Sequence, residues 1–89
     1  MIRRELMIIN KLGLHARAAS KLVGCASAFG SEIWLRRGDR EVNGKSIMGV
    51  LTLAASRGSV LEVCTRGPDE SAAMDALALL VENRFGEDE

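Results

Sequence analysis

The stretch ARAASKLVGCASAFGSEIWLR, residues 16–36, changes its period midway, and that change decides the fold. Up to Phe29 the apolar residues Ala19, Leu22, Val23, Ala26 and Phe29 recur at the i, i+3, i+4, i+7 spacing of one helix face. From Glu32 the pattern alternates, with Ile33 and Leu35 on one side, as a half-buried strand requires. Gly30 stands between the two, where a helix C-terminus is commonly closed. Trp34 alternates away from Ile33 and Leu35, so its face stays open at this point.

Outward from this pair the chain continues in the same manner. Upstream, Leu6-Met7-Ile8-Ile9 is a short apolar run that predicts a first strand, and Asn10 to His15 form a loop. Downstream, Arg37-Gly38-Asp39-Arg40 turns into a brief strand at Glu41-Val42-Asn43, which makes a hairpin. Ser46 caps a short helix carrying Ile47, Val50, Leu51 and Ala54, with Gly49 weakening its middle. Arg57-Gly58 leads into a fourth strand at Val60–Thr65. Pro68 fits the first turn of a last helix, which Asp69 and Glu70 favour through its dipole. Ala73, Leu77, Leu80 and Val81 form that helix's buried stripe, and Gly86 stops it. The acidic end Glu87-Asp88-Glu89 is expected to fray. The order β-α-β-β-α-β-α in 89 residues predicts one α+β domain, 1–89, with helices on one face of an antiparallel sheet.

Composition narrows the function classes. Twelve acidic and twelve basic side chains cancel, and aromatics are 3%, which disfavours nucleic acid and anionic membranes as partners. No apolar run approaches a membrane span, and Met1 to Leu6 lack the features of a signal peptide. Cys25 and Cys64 are isolated, and His15 is the single histidine, so neither a zinc site nor a disulfide framework is expected. Reduced cysteines and a cytoplasmic location follow. Lys21 and the pair Arg36-Arg37 read as solvated surface.

The chemistry concentrates in Gly13-Leu14-His15-Ala16-Arg17, where a loop feeds the first helix. A helix N-terminus offers unpaired amides, here those of Ala16 and Arg17, and a partial positive charge that favours an anion. A neutral imidazole is a nucleophile near neutral pH. The planar fork of Arg17 suits two phosphate oxygens at once. By itself a lone histidine in a loop is more often solvated than reactive, and His-x-Arg is a weak string.

Gly13-Leu14-His15-Ala16-Arg17 together with Asn43-Gly44-Lys45-Ser46-Ile47-Met48-Gly49-Val50 resembles the two signature regions of HPr, the histidine phosphocarriers of the bacterial phosphoenolpyruvate-dependent phosphotransferase system. The likeness spans essentially the whole chain. It implies an open-faced β-sandwich with strand order 1-4-2-3 and three helices on one face. It also implies that His15 receives a phosphoryl group on Nδ1 from enzyme I and hands it to an enzyme IIA domain. Arg17 would coordinate the phosphate, and Ser46 matches the serine that an HPr kinase/phosphorylase modifies in many members. Ala16, Ser20, Ile47, Met48 and Leu51 would meet partners, with Met48 the most exposed of them. The resemblance implies a stoichiometric carrier without cofactor or metal rather than an enzyme with its own turnover, and a monomer is expected.

One departure is Ala18, where the family pattern usually has proline. Asn10-Lys11-Leu12-Gly13 and the acidic end are also similar to NPr, the nitrogen-branch relative, whereas Lys45 to Gly49 favour HPr. A ferredoxin-like sensing or interaction module would share the element order but leaves His15-Ala16-Arg17 without purpose. Ser46 would also stand before an apolar helix merely as its cap.

Overall fold

Leu61, Val63 and Thr65 are buried and alternate with outward residues, along a strand that pairs on both of its edges. In the computed structural model, which describes residues 1–89, the elements are β1 (Ile2–Met7), α1 (Ala16–Ser27), β2 (Glu32–Arg37), β3 (Arg40–Asn43), α2 (Ile47–Thr52), β4 (Val60–Arg66) and α3 (Glu70–Glu82). A 3-10 turn at Arg84–Gly86 follows. The sheet is antiparallel throughout, in the order β1-β4-β2-β3 implied by the resemblance.

One face of the sheet meets the helices. Leu6, Ile33, Leu35, Leu61 and Val63 pack against Ala18, Ala19, Leu22 and Ala26 of α1, Val50 of α2 and the Ala73-Met74-Leu77-Ala78-Val81 stripe of α3. Each large apolar side chain so buried contributes about 1.5–3 kcal/mol. The other face is open to water. It carries Trp34, which lies across from Cys64 and Asn43, and an Arg36–Glu62 pair at 3.0 Å. The face left undecided for Trp34 is therefore the open one.

Some boundaries differ from the expectations. β1 begins at Ile2 and ends at Met7 rather than running through Ile9. Ile2 and Leu6 face the helices, and Arg4 between them reaches Glu82 on α3 instead of entering the core. The apolar run Leu6–Ile9 thus straddles the end of a strand and the start of a loop. α2 stops at Thr52, and Ala54 beyond it has a left-handed φ of 49°. Pro68 lies ahead of the N-cap Asp69 rather than in the first turn of α3. Asp69 does not cap its own helix with its side chain. Its carboxylate accepts from the amides of Gly30 and Ser31, each at 2.9 Å, and from the Ser31 hydroxyl, so it joins the α1–β2 loop to the start of α3. Those bonds, the Ser31 hydroxyl foremost, hold its carboxyl below the usual aspartate value.

Lys21 and Arg37 are exposed but not free: Lys21 Nζ donates to the Phe85 carbonyl at 2.7 Å and Arg37 to that of Leu53 at 3.1 Å. No helix is long and apolar enough to cross a membrane. Cys25 and Cys64 are both free, and burial pushes the Cys25 thiol up.

Candidate functional site

Gly13 sets the approach to the site. Its φ is +69°, and a Cβ there would lie 2.7 Å from the Ala55 carbonyl oxygen. Only glycine lets the loop pass so close to the segment between α2 and β4. Leu14 is buried next, and its amide donates to the Ala55 carbonyl at 2.8 Å. The anchored chain then presents His15 as the N-cap of α1, in extended conformation, with no capping bond from its side chain.

The Ala19 amide donates to the His15 carbonyl at 2.8 Å and opens the helical ladder. The amides of Ala16, Arg17 and Ala18 consequently have no carbonyl within the helix and face whatever stands at its start. The alanine at 18 matters here. Proline carries no N–H, so Ala18 adds a donor, while its side chain is fully buried and belongs to the core.

The imidazole is held from the other side. Its Nε2 is hydrogen-bonded to the Glu87 carboxylate through Oε2. Glu87 Oε1 accepts from Asn10 Nδ2 at 2.9 Å, and the same amide group donates to the Gly13 carbonyl at 2.8 Å. Asn10 is fully buried. These bonds lower the Glu87 carboxyl below the usual glutamate value, the Asn10 amide contributing most and the His15 ring next. A carboxyl lowered by folding contributes stability that is present above the ordinary glutamate range. That contribution is lost as pH falls through the lowered value.

The acidic end is therefore not frayed, contrary to the expectation from its composition. The Lys11 amide donates to the Glu89 carbonyl, and Lys11 Nζ pairs with the Glu89 carboxylate at 3.2 Å. Together Lys11, Leu12, His15, Ala16, Arg17, Glu87, Asp88 and Glu89 line an open cleft of ≈ 750 Å³. Arg17 is exposed there, and the chain's five salt bridges do not engage it. No group of three or more His, Cys, Asp or Glu side chains is arranged to hold a metal ion.

The second motif sits on α2, which packs against α1. Ser46 is its N-cap, and Ser46 Oγ accepts from the Gly49 amide at 3.2 Å. Met48 is 71% exposed and Leu51 37%, while Ile47 is half-buried against the core. Ser20 is exposed on α1. The resemblance implies a role for each of these residues but none for Asn10, Leu12 or Glu87. Leu12, 68% exposed at the cleft, was legible as an apolar residue in a polar loop. Nothing local marks Asn10 or Glu87, because their contact spans most of the chain.

A small open-faced α/β sandwich that offers an uncapped helix start, a histidine with one ring nitrogen unengaged and a free arginine is built to carry an anionic group. Residues 2–83 match the family model described as "PTS HPr component phosphorylation site". The chain is 57% identical over 88 residues to the phosphocarrier protein HPr of Xylella fastidiosa, covering 99% of each. It superimposes on a crystal structure of HPr-C-His from Thermoanaerobacter tengcongensis with a TM-score of 0.96, at 44% identity and with 100% of both chains covered. A structure described as an HPr dimer from the same organism matches with a TM-score of 0.79 at 45% identity, over 98% of this chain and 100% of that one. The chain belongs to the HPr family of phosphocarriers of the phosphotransferase system. The curated relatives bear the HPr name, which does not favour the NPr alternative.

Proposed function

We propose that His15 accepts a phosphoryl group on Nδ1 from enzyme I and donates it to an enzyme IIA domain, in a cytoplasmic chain acting as a stoichiometric carrier. The observation that carries this reading is the ring's orientation. Nε2 is engaged by Glu87, which leaves Nδ1 as the nitrogen with an available lone pair, on a residue that stands at the N-cap of α1. Phosphoryl transfer asks chiefly for positioning and charge stabilisation, and the amides and Arg17 provide both. One chain holds all these groups, which supports the monomer as the carrying form. The test is incubation with phosphoenolpyruvate and enzyme I followed by intact mass. A gain of one acid-labile phosphate is expected, and no gain under any donor concentration overturns the reading.

Arg17 is the coordinating side chain in this scheme. Its removal as Arg17→Ala is expected to leave His15 loadable but to slow transfer onward. The lost charge-assisted contact amounts to about 2–4 kcal/mol of transition-state stabilisation, roughly thirty- to a thousandfold in rate. Arg17→Lys should recover only part of it, since a point charge lacks the fork. Rapid-quench transfer kinetics measure this, and an unchanged rate in Arg17→Ala would assign the work to the backbone amides alone.

Ser46 is proposed as a regulatory phosphorylation site for an HPr kinase/phosphorylase, with Met48, Leu51, Ile47, Ala16 and Ser20 as the docking surface. A phosphate on the cap of α2 adds about −1.5 to −2 charges where the helix dipole favours them. Ser46→Asp is therefore expected to keep the domain's melting temperature. It should raise the enzyme I concentration needed for half-maximal loading, because apolar partner surface must desolvate the new charge. Titration at two salt concentrations tests this, and identical loading curves at low salt would leave Ser46 a cap only.

A further inference from the structure

Glu87 lies two residues beyond the buried Phe85 and reaches back across the first loop to the imidazole. Its carboxylate is fixed from two sides: Oε1 by the side-chain amide of Asn10, which is fully buried, and Oε2 by the ring of His15. Asn10 Nδ2 also bonds the Gly13 carbonyl, so one buried amide holds the loop that presents the histidine and the carboxylate that orients it. We propose that Glu87 is a positioning residue for phosphoryl transfer at His15, keeping the proton on Nε2 and stabilising the cationic ring that transfer creates. This rests on the assignment of His15 as the acceptor.

The neutral ring, protonated on Nε2, attacks phosphorus with the Nδ1 lone pair. The P–Nδ1 bond forms as the donor's bond to phosphorus breaks, and the bonding pair leaves with the donor atom. No proton leaves the histidine, so the ring gains a positive charge that Nε2–H shares with the Glu87 carboxylate. That hydrogen bond strengthens along the reaction, which is the condition for lowering a barrier rather than merely binding. The carboxylate sits across the ring from Nδ1, so it opposes the incoming phosphoryl charge less than it supports the ring. Delivery to the next protein runs the same steps backwards, with the contact relaxing as the ring becomes neutral.

Glu87→Gln is a demanding probe. To serve both partners it would have to present an oxygen to His15 and an NH₂ to the Asn10 amide, placing donor against donor. By analogy with second-sphere carboxylates on ligand histidines, Glu87→Gln and Glu87→Ala should each cut the maximal loading rate about ten- to a hundredfold. The half-saturating donor concentration should stay unchanged, because the docking surface is intact. Asp75→Asn removes a charge from the exposed side of α3 and should load as the wild type does.

The experiment combines those kinetics with ¹⁵N shifts of the His15 ring in the unloaded protein. The wild type should show a proton on Nε2 and an unprotonated Nδ1, and both Glu87 variants should show growth of the other tautomer in a domain that still melts cooperatively, at a modestly lower temperature for want of the Asn10 and His15 bonds. Wild-type maximal rates in Glu87→Gln and Glu87→Ala, or unaltered ring shifts, overturn the proposal. A wild type that never loads defeats the assignment of His15 instead, and the ring shifts then still decide whether Glu87 sets the tautomer.

Discussion

His15→Ala is expected to fold as the wild type does and to take up no phosphoryl group from phosphoenolpyruvate and enzyme I. Two observations make the fold insensitive. The His15 side chain accepts no capping bond from a helix amide, so an alanine at the N-cap of α1 leaves no amide newly unpaired. Its one side-chain partner, Glu87, keeps its bond to Asn10. The loss of function should be complete because the chain has no second histidine. The other nucleophiles are poorly placed: the Cys25 thiol is pushed up by its burial, which keeps it from the reactive thiolate form. Intact mass after incubation, alongside a thermal melt by circular dichroism, checks both halves. An acid-labile phosphate on the variant would move the acceptor elsewhere, and a collapsed melt would mean that His15 holds the loop together.

The elements legible in the sequence were those whose partners lie nearby or whose pattern repeats. Ala19, Leu22 and Ala26 are buried on α1 as their spacing predicts, and Ile33 and Leu35 are buried on β2. Ser46 caps α2 because a cap is a local bond between residues three apart. The histidine at a helix start was legible for the same reason. The start of β1 is hidden in the sequence because its inward position 4 holds an arginine that an α3 carboxylate receives, a contact invisible along the strand itself. The acidic end departs furthest from its composition. Glu87, Asp88 and Glu89 look solvated by composition, yet Glu87 completes the site with Asn10, 77 positions away in sequence. Composition describes what a segment prefers when nothing binds it, and here buried Asn10 and exposed Lys11 do bind it. Two signature motifs could locate the acceptor and the capped helix but contain no residue from that end of the chain.

What returns the chain to the site is Phe85. The turn after α3 holds two non-glycine residues in the left-handed region, Arg84 at φ 55° and Phe85 at φ 56°. Each costs on the order of 1 kcal/mol relative to ordinary backbone, so the turn needs compensation. It comes from the Phe85 ring, which is 1% exposed, and from the Lys21 ammonium bound to the Phe85 carbonyl. Phe85→Ala keeps the strained backbone and discards the burial, a loss of about 3–5 kcal/mol. For a domain of this size the melting temperature should fall by at least about 12 °C. The variant stays folded at low temperature if the domain has ordinary stability of about 5–15 kcal/mol. In that folded state the segment carrying Glu87 loses its anchor, so loading should slow toward the rate of Glu87→Ala and the His15 ring nitrogens should shift the same way. Phe85→Leu, which refills most of the volume, should restore both the melt and the rate. A Phe85→Ala protein that melts within a few degrees of the wild type would show that the ring is not what holds this turn. One that melts early yet loads at full speed would show that Glu87 reaches His15 without it.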